Sequence, residues 1–471
     1  MKSKLIIMLS LFFIIPNLIL SQDIIGKWSG EINVLNQKLN IVVNFKIEND
    51  SLKGKIDIPQ QMAFGLDLSN IKTENESVNF ELVAGPGNIA FFEGEYFLDD
   101  SGNPKIEGKF IQMGIVGTFN LELAKEEAKK QQTPTAQNFT DLDVRIVAGP
   151  DTLGGTLSIP NINSKKKFKC VILITGSGPQ DRDEDVFGFK IFKELATHLA
   201  NSGIAVLRCD DRGFGQSTNS LGNKVTTFDF ANDVEACIKY LKNHSSIDPK
   251  KIGLLGHSEG GIIASIVASR NKDVAFVVLM AGTSIRGDSL LISQLYEITK
   301  ASGASDEDIQ EALRWQKNTL NAIRTDTGWD KLREDMFIMS KKQIDTLPES
   351  QKKMFPDSLI YQRIDMLIAQ SRNDWMREFI KIDPADYIEK ISCPVLALFG
   401  QLDTQVPPNT NEIPMRNALN KSKVKYEIKI FDKANHLFQE AQTGSPNEYF
   451  MLEKKFVPGF LEYISGWILK I

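Results

Sequence analysis

The residues best suited to chemistry lie in Gly256-His257-Ser258-Glu259-Gly260, which follows the apolar run 252–255 and precedes the helix-compatible stretch 262–269. A serine between two such glycines, at a strand-to-helix junction, is what a sharp turn needs to hold Oγ clear of a sheet as a nucleophile. The helix N-terminus at Ser258 favours negative charge developing beside it. Serine needs a base, and in this setting the partners follow in the order Ser, then Asp or Glu, then His. Of four histidines only His436 lies downstream of Ser258, just after the apolar run 426–430. Asp403 follows the run 395–399 in Gly400-Gln401-Leu402-Asp403 and is the candidate acid, with Asp432, four residues before His436, as its rival. The acid would fix the tautomer of His436 and stabilise the imidazolium.

Such a reaction passes through an oxyanion that needs hydrogen-bond donors. The N–H of Glu259, just after the nucleophile, is one candidate. The second is expected from the loop after 171–175, Gly176-Ser177-Gly178-Pro179-Gln180-Asp181-Arg182-Asp183. There the Ser177 N–H is the first choice and Gln180 the alternative. The charged, glycine-rich segment 208–217 reads as a hydrogen-bonded scaffold. The acidic run 181–185 reads as a loop tethered by salt bridges, to Arg208 or Arg212. His198 and His244 are expected in helices, without a role.

These residues need elements to place them. From residue 140 onward, two strands at 143–147 and 155–159 precede short apolar runs at 171–175, 204–209, 252–255, 274–280, 395–399 and 426–430, separated by longer amphipathic stretches. That pattern is expected of a mostly parallel sheet covered by helices on both faces. Residues 288–380 read as amphipathic helices containing Trp315, Trp329 and Trp375, an insertion placed to cap the strand ends. Residues 22–124 read instead as short alternating strands, clearest at 78–82 and 118–123, forming a small antiparallel β-rich domain. The polar segment 125–139 is the linker, and 140–471 the second domain.

The N-terminus carries Lys2 and Lys4 before an uncharged apolar run over residues 5–20, then Ser21 and Gln22. This is the pattern of a signal peptide over residues 1–21. Pro16 interrupts the run, which falls short of the roughly 20 residues a span requires. A secreted or periplasmic protein without a stable membrane span after cleavage is therefore expected. The composition, 42% hydrophobic and 24% charged, is that of a globular protein. The formal charge of −5 becomes two units more negative once residues 1–21 are removed, which excludes a nucleic-acid binder reliant on a basic face. Cys170, Cys209, Cys237 and Cys393 have no metal-site spacing and read as small buried hydrophobes, with a disulfide left open.

Together the segments 174–183, 210–217, 256–261, 400–407 and 435–438 resemble the α/β-hydrolase superfamily, and more narrowly two-domain bacterial carboxylesterases with a β-rich N-terminal domain. The resemblance covers 140–471 well and 24–124 loosely. It implies an α/β-hydrolase fold with a helical cap, Ser258, Asp403 and His436 as a triad, and hydrolysis of small-molecule, short-chain esters. One departure is Thr175-Gly176, where many relatives have His-Gly. This chemistry requires no cofactor. A peptidase, an acyltransferase or thioesterase of the same fold, and a non-catalytic lipid- or glycan-binding protein are the alternatives.

Overall fold

The computed structural model describes residues 24–34, 37–48, 51–58, 63–83, 89–112, 115–123, 138–162, 167–345, 352 and 355–471. The signal segment expected at 1–21, and the linker expected at 125–139 up to residue 137, lie outside them. The chain divides into two compact units, Met1–Thr133 with Ile344–Pro356, and Pro134–Gln343 with Asp357–Ile471.

The first unit holds β1 (Gly26–Val34), β2 (Gln37–Glu48), β3 (Ser51–Ile58), β4 (Ala63–Glu74), β5 (Ser77–Val83), β6 (Ile89–Leu98), β7 (Pro104–Gln112) and β8 (Ile115–Leu123). Each pairs antiparallel with the next, and β1 pairs with β8, closing an eight-stranded barrel. Alternation sends Val78, Phe80 and Leu82 of β5 inward. Phe80 stacks on Phe92 at 4.5 Å, and both meet Phe119 edge-on at 5.8 and 5.2 Å. At eight strands a barrel interior is just filled by side chains, and these rings fill this one.

The second unit opens with the antiparallel pair β9 (Phe139–Ala148) and β10 (Asp151–Pro160). It continues with β11 (Phe168–Ile174), the two-residue strands β12 (Asp185–Val186) and β13 (Phe189–Lys190), β14 (Ala205–Cys209), β15 (Ile247–His257), β16 (Val274–Met280), β17 (Val395–Gly400) and β18 (Tyr426–Phe431). The main sheet runs β18-β17-β16-β15-β11-β14-β10-β9 and is parallel from β14 to β18. Successive residues of β11 serve opposite faces. Val171 and Leu173 pack with α1 (Ile191–Asn201), whereas Cys170, Ile172 and Ile174 pack with α2 (Thr227–Lys242) and α3 (Glu259–Arg270). Burial on both faces explains why these strands read as unbroken apolar runs.

Strand order reverses about β11, with β14 on one side and β15 on the other. In open α/β sheets, the carboxyl ends of strands at such a reversal form a ligand-binding crevice. Between β16 and β17 lie α4 (Gly287–Ala301), α5 (Asp306–Thr325), α6 (Trp329–Ile344), α7 (Asp357–Ser371) and α8 (Asp374–Phe379). His198 lies in α1, but His244 falls beyond α2 in the turn into β15. All four cysteines are free, with the sulfurs of Cys209 and Cys237 at 3.8 Å. Among the described residues, no helix is long and apolar enough to cross a membrane.

Removing a fully buried ring from the barrel leaves a cavity, so Phe80→Ala is expected to lower the unfolding free energy of the barrel by about 3–5 kcal/mol. Denaturant titration of the full-length protein, followed by hydrogen exchange in β5 and β6, measures this; unchanged exchange there would contradict the packed-interior description.

Candidate active site

Ser258 stands between β15 and α3 with φ 55° and ψ −118°. A non-glycine residue at positive φ is strained, and such strain persists only where its surroundings enforce it. Here they do so through glycines on either side. A Cβ on Gly256 would lie 2.0 Å from the Gly260 carbonyl oxygen, and one on Gly260 would lie 2.1 Å from that of Ile174. The chain therefore doubles back against β11 only because both side chains are absent. The Ser258 N–H donates to the Met280 carbonyl at 2.9 Å, tying the turn to β16. Ile262, Ile263, Ala264, Ile266, Val267 and Ala268 are all buried, so α3 is a central helix fixed by packing rather than a surface one.

Asp403 follows β17, and His436 follows β18. The Nδ1 of His436 lies 2.8 Å from Asp403 Oδ2, and both residues are buried. The other carboxylate oxygen accepts from the N–H groups of Gln405 and Val406, each at 2.8 Å, so the acid is fixed before it meets the imidazole. A carboxylate can only accept, so His436 donates from Nδ1 and leaves Nε2 free to act as a base. Asp432 is exposed. The His436 loop is braced by the Asn435 side chain, whose oxygen accepts from the N–H groups of Leu437 and Gln439. Its junction with the Asp403 loop is close, since a Cβ on Gly400 would lie 2.5 Å from the carbonyl oxygens of Ala434 and Asn435. The ring of His257, the residue before Ser258, lies 4.8 Å from that of His436. Among the described residues Ser258 Oγ makes no hydrogen bond. Such bonds in unliganded sites often close only with substrate.

The loop after β11 is pinned at several points. Gln180 N–H donates to Asp211 Oδ2 at 3.0 Å, and the Thr175 hydroxyl donates to Asp211 Oδ1 at 2.8 Å. Arg182 forms a two-pronged pair with Asp210, at 3.0 and 2.7 Å. Asp183 pairs with Arg208, the tether expected for this acidic loop. Arg212 instead pairs with Asp151 and Asp233, which anchor β10 and α2. With the Gln180 main chain engaged, the Ser177 N–H has no partner among the described residues. The N–H of Glu259, at the first position of α3, precedes the intrahelical ladder and is likewise available. Gly176 brings the loop against the nucleophile, because a Cβ there would lie 3.3 Å from that of Ser258.

Three side chains at the site carry no sequence signal of their own. Glu184 is hidden in an acidic run and His257 occupies a variable position of the serine motif. Trp375 belongs to the helical insertion. The Trp375 indole donates to Glu259 Oε1 at 2.8 Å, and the Thr227 hydroxyl donates to the same oxygen at 2.7 Å. The insertion thus touches the residue after Ser258. His257 Nδ1 lies 2.8 Å from Glu184 Oε1, and its Nε2 lies 3.1 Å from the His436 carbonyl oxygen. Burial opposes a charge on His257, but the facing Glu184 carboxylate outweighs it and raises the pKa above the ordinary value.

A parallel sheet with a strained serine turn at its reversal point defines an α/β hydrolase. The model for the family described as Hydrolase_4: Serine aminopeptidase, S33 matches residues 189–441, more than half of the chain, and the chain belongs to that family. Ser258, Asp403 and His436 fall within the match; the Ser177 loop precedes it. Over 400 residues the chain is 26% identical to Esterase EstD of Thermotoga maritima, covering 85% of this chain and 81% of that protein. It is also 26% identical over 217 residues to an uncharacterized 31.7 kDa protein of the traX-finO intergenic region of Escherichia coli, covering 45% of this chain and 68% of that one. Among solved structures, the Pyrococcus furiosus esterase PF2001 aligns with a TM-score of 0.41 and 17% identity, over 72% of this chain and 93% of that one.

Burial raises the pKa of Glu259 despite its hydrogen bonds from Thr227, Trp375 and Ser177. The folded protein therefore holds this proton more tightly than the unfolded chain. The associated stability is complete below the unfolded pKa and is lost as pH rises through the elevated folded one. Glu259→Gln should remove this contribution, narrowing the difference in melting temperature between about pH 5 and about pH 8. Melting curves at the two pH values test it; an unchanged difference would contradict the assignment.

Proposed function

We propose that this protein hydrolyses carboxylic esters of short acyl chains through an acyl-enzyme on Ser258. The observation that carries the reading is the buried 2.8 Å contact of Asp403 with His436, on loops from adjacent strands beside the strained turn at Ser258. The name of the Thermotoga maritima relative, an esterase, supports it over most of the chain.

In this mechanism Ser258 Oγ attacks the ester carbonyl carbon and gives its proton to His436 Nε2. Asp403 holds the imidazole in the required tautomer and stabilises the imidazolium. The oxyanion accepts from the N–H groups of Ser177 and Glu259, with the dipole of α3 behind them. Collapse expels the alcohol, which takes the proton from His436. Water then enters, loses a proton to His436 and attacks the acyl-enzyme, releasing the acid and regenerating Ser258. Trp375 places the helical insertion beside Glu259, where it would border the acyl or alcohol pocket. Residues 1–21 would direct the protein out of the cytoplasm, to the periplasm or the medium.

The family description favours a second reading, a serine aminopeptidase acting through the same residues. Comparing p-nitrophenyl acetate and butyrate with aminoacyl p-nitroanilides separates the two. Turnover of the esters, falling with longer acyl chains, is the expected result; faster turnover of the anilides would replace the esterase reading with the peptidase one. Asp403→Asn should reduce kcat for p-nitrophenyl acetate by about 10^4-fold. A variant retaining most of its kcat would exclude Asp403 as the orienting acid.

A further inference from the structure

Beneath the Asp403–His436 pair lies a second carboxylate–imidazole pair that the proposed mechanism does not use. Glu184 is 1% exposed and His257 3% exposed. Glu184 Oε1 accepts from the Gly176 N–H at 2.9 Å and lies 2.8 Å from His257 Nδ1. His257 Nε2 lies 3.1 Å from the carbonyl oxygen of His436. The two side chains thereby join three segments, the loop after β11, the strand end carrying the nucleophile, and the loop carrying the base.

The hydrogen count follows from which atoms can donate. A carbonyl oxygen only accepts, so His257 Nε2 must carry hydrogen. The contact between Nδ1 and Oε1 then needs one further proton, on the imidazole as an ion pair or on the carboxyl as a neutral pair. Either way the couple holds one proton on that line and has no net charge. Glu184 Oε2 is buried with no partner among the described residues. Leaving a buried oxygen unpaired is costly, and an apolar side chain filling the same space would avoid that cost. Glu184 also sits at φ 49°, in the left-handed region that a non-glycine residue seldom occupies. Packing alone explains neither feature.

We propose that Glu184 and His257 are positioning residues, a couple holding one shared proton that sets the main chain of Gly176 and His436 relative to Ser258. It thereby aligns the oxyanion loop and the base in one step. This rests on the hydrolase reading above, with Ser258 as nucleophile and His436 as base. The groups facing His257 are Glu184 from the loop after β11, Asp403 from the loop after β17, and His436 from the loop after β18. Of these, Glu184 contacts the ring nitrogen directly, so it governs the proton.

The test uses the full-length protein labelled with 15N-histidine. The chain has four histidines, so the His257 signal can be assigned by elimination with His198→Asn, His244→Asn and His436→Asn. In the wild type, the His257 ring 15N shifts should stay constant, with no titration from about pH 6 to about pH 8.5, whereas a free imidazole titrates near 6.5. In Glu184→Gln the His257 ring 15N shifts should depart from the wild-type values across that range, because the shared proton is gone. The kcat for p-nitrophenyl acetate should fall on the order of 10- to 100-fold, the scale of a misplaced catalytic group, with KM changed less than about threefold. Glu184→Asp should recover part of the loss. Ordinary titration of His257 in the wild type would overturn the proposal even if no variant folds. So would a folded Glu184→Gln variant with wild-type kcat. Full activity in Ser258→Ala would instead overturn the hydrolase reading and leave the proton count standing.

Discussion

The backbone of Ser258 is the constraint on which the site depends. At φ 55° it occupies a region that costs a non-glycine residue on the order of 1–3 kcal/mol. The strain is held because α3 is packed on all sides and because Gly256 and Gly260 let the turn press against β11. Side chains at those two glycines would approach carbonyl oxygens to about 2 Å. The same closeness sets Gly176, and with it the Ser177 N–H, beside the serine. Ser258 and the loop after β11 are therefore placed by a single steric arrangement.

Electrostatics fixes what sterics leave loose. Each buried carboxylate around the site has a distinct duty, decided by which donors reach it. Asp403 is fixed by two main-chain N–H groups and turns its remaining oxygen to His436. Glu259 collects Thr227 and Trp375, bringing the helical insertion to α3. Asp210 holds Arg182 and so shapes the loop after β11, from which the Gln180 main chain is drawn away by Asp211. What remains uncommitted is the set of main-chain donors that an oxyanion would need. The acidic character of the loop at 181–185 thus serves geometry.

Much of this was legible in the sequence, for physical reasons. Strands buried on both faces must be apolar throughout, so β11, β15, β16 and β17 stand out and place Ser258 and Asp403 in loops, while His436 follows the half-exposed edge strand β18. The alternation at 78–82 and 118–123 marked strands with one buried face, although barrel closure depends on the pairing of β1 with β8, which no local pattern encodes. Side-chain partnerships between distant segments were harder to read. The acidic loop reads as tethered to Arg208 or Arg212; the structure pairs Asp183 with Arg208, while Arg212 pairs with Asp151 and Asp233. His257 sat in a motif position that tolerates many residues, and its pairing with Glu184 spans 73 residues. Nothing in either local sequence distinguishes that contact from an exposed polar residue.

The helical insertion reaches Glu259 through Trp375, which stacks on Phe379 at 5.0 Å. In the proposed reaction, acyl-group preference would reside in α8 and the chemistry in the loops of the sheet. The central claim, that Ser258 is the nucleophile activated by His436, is tested most directly by reacting the protein with a p-nitrophenyl phosphonate and mapping the adduct by peptide mass spectrometry. One phosphonyl group is expected, on Ser258, absent from His436→Gln protein treated for the same time. An adduct on another residue, or undiminished labelling of Ser258 without His436, would contradict it.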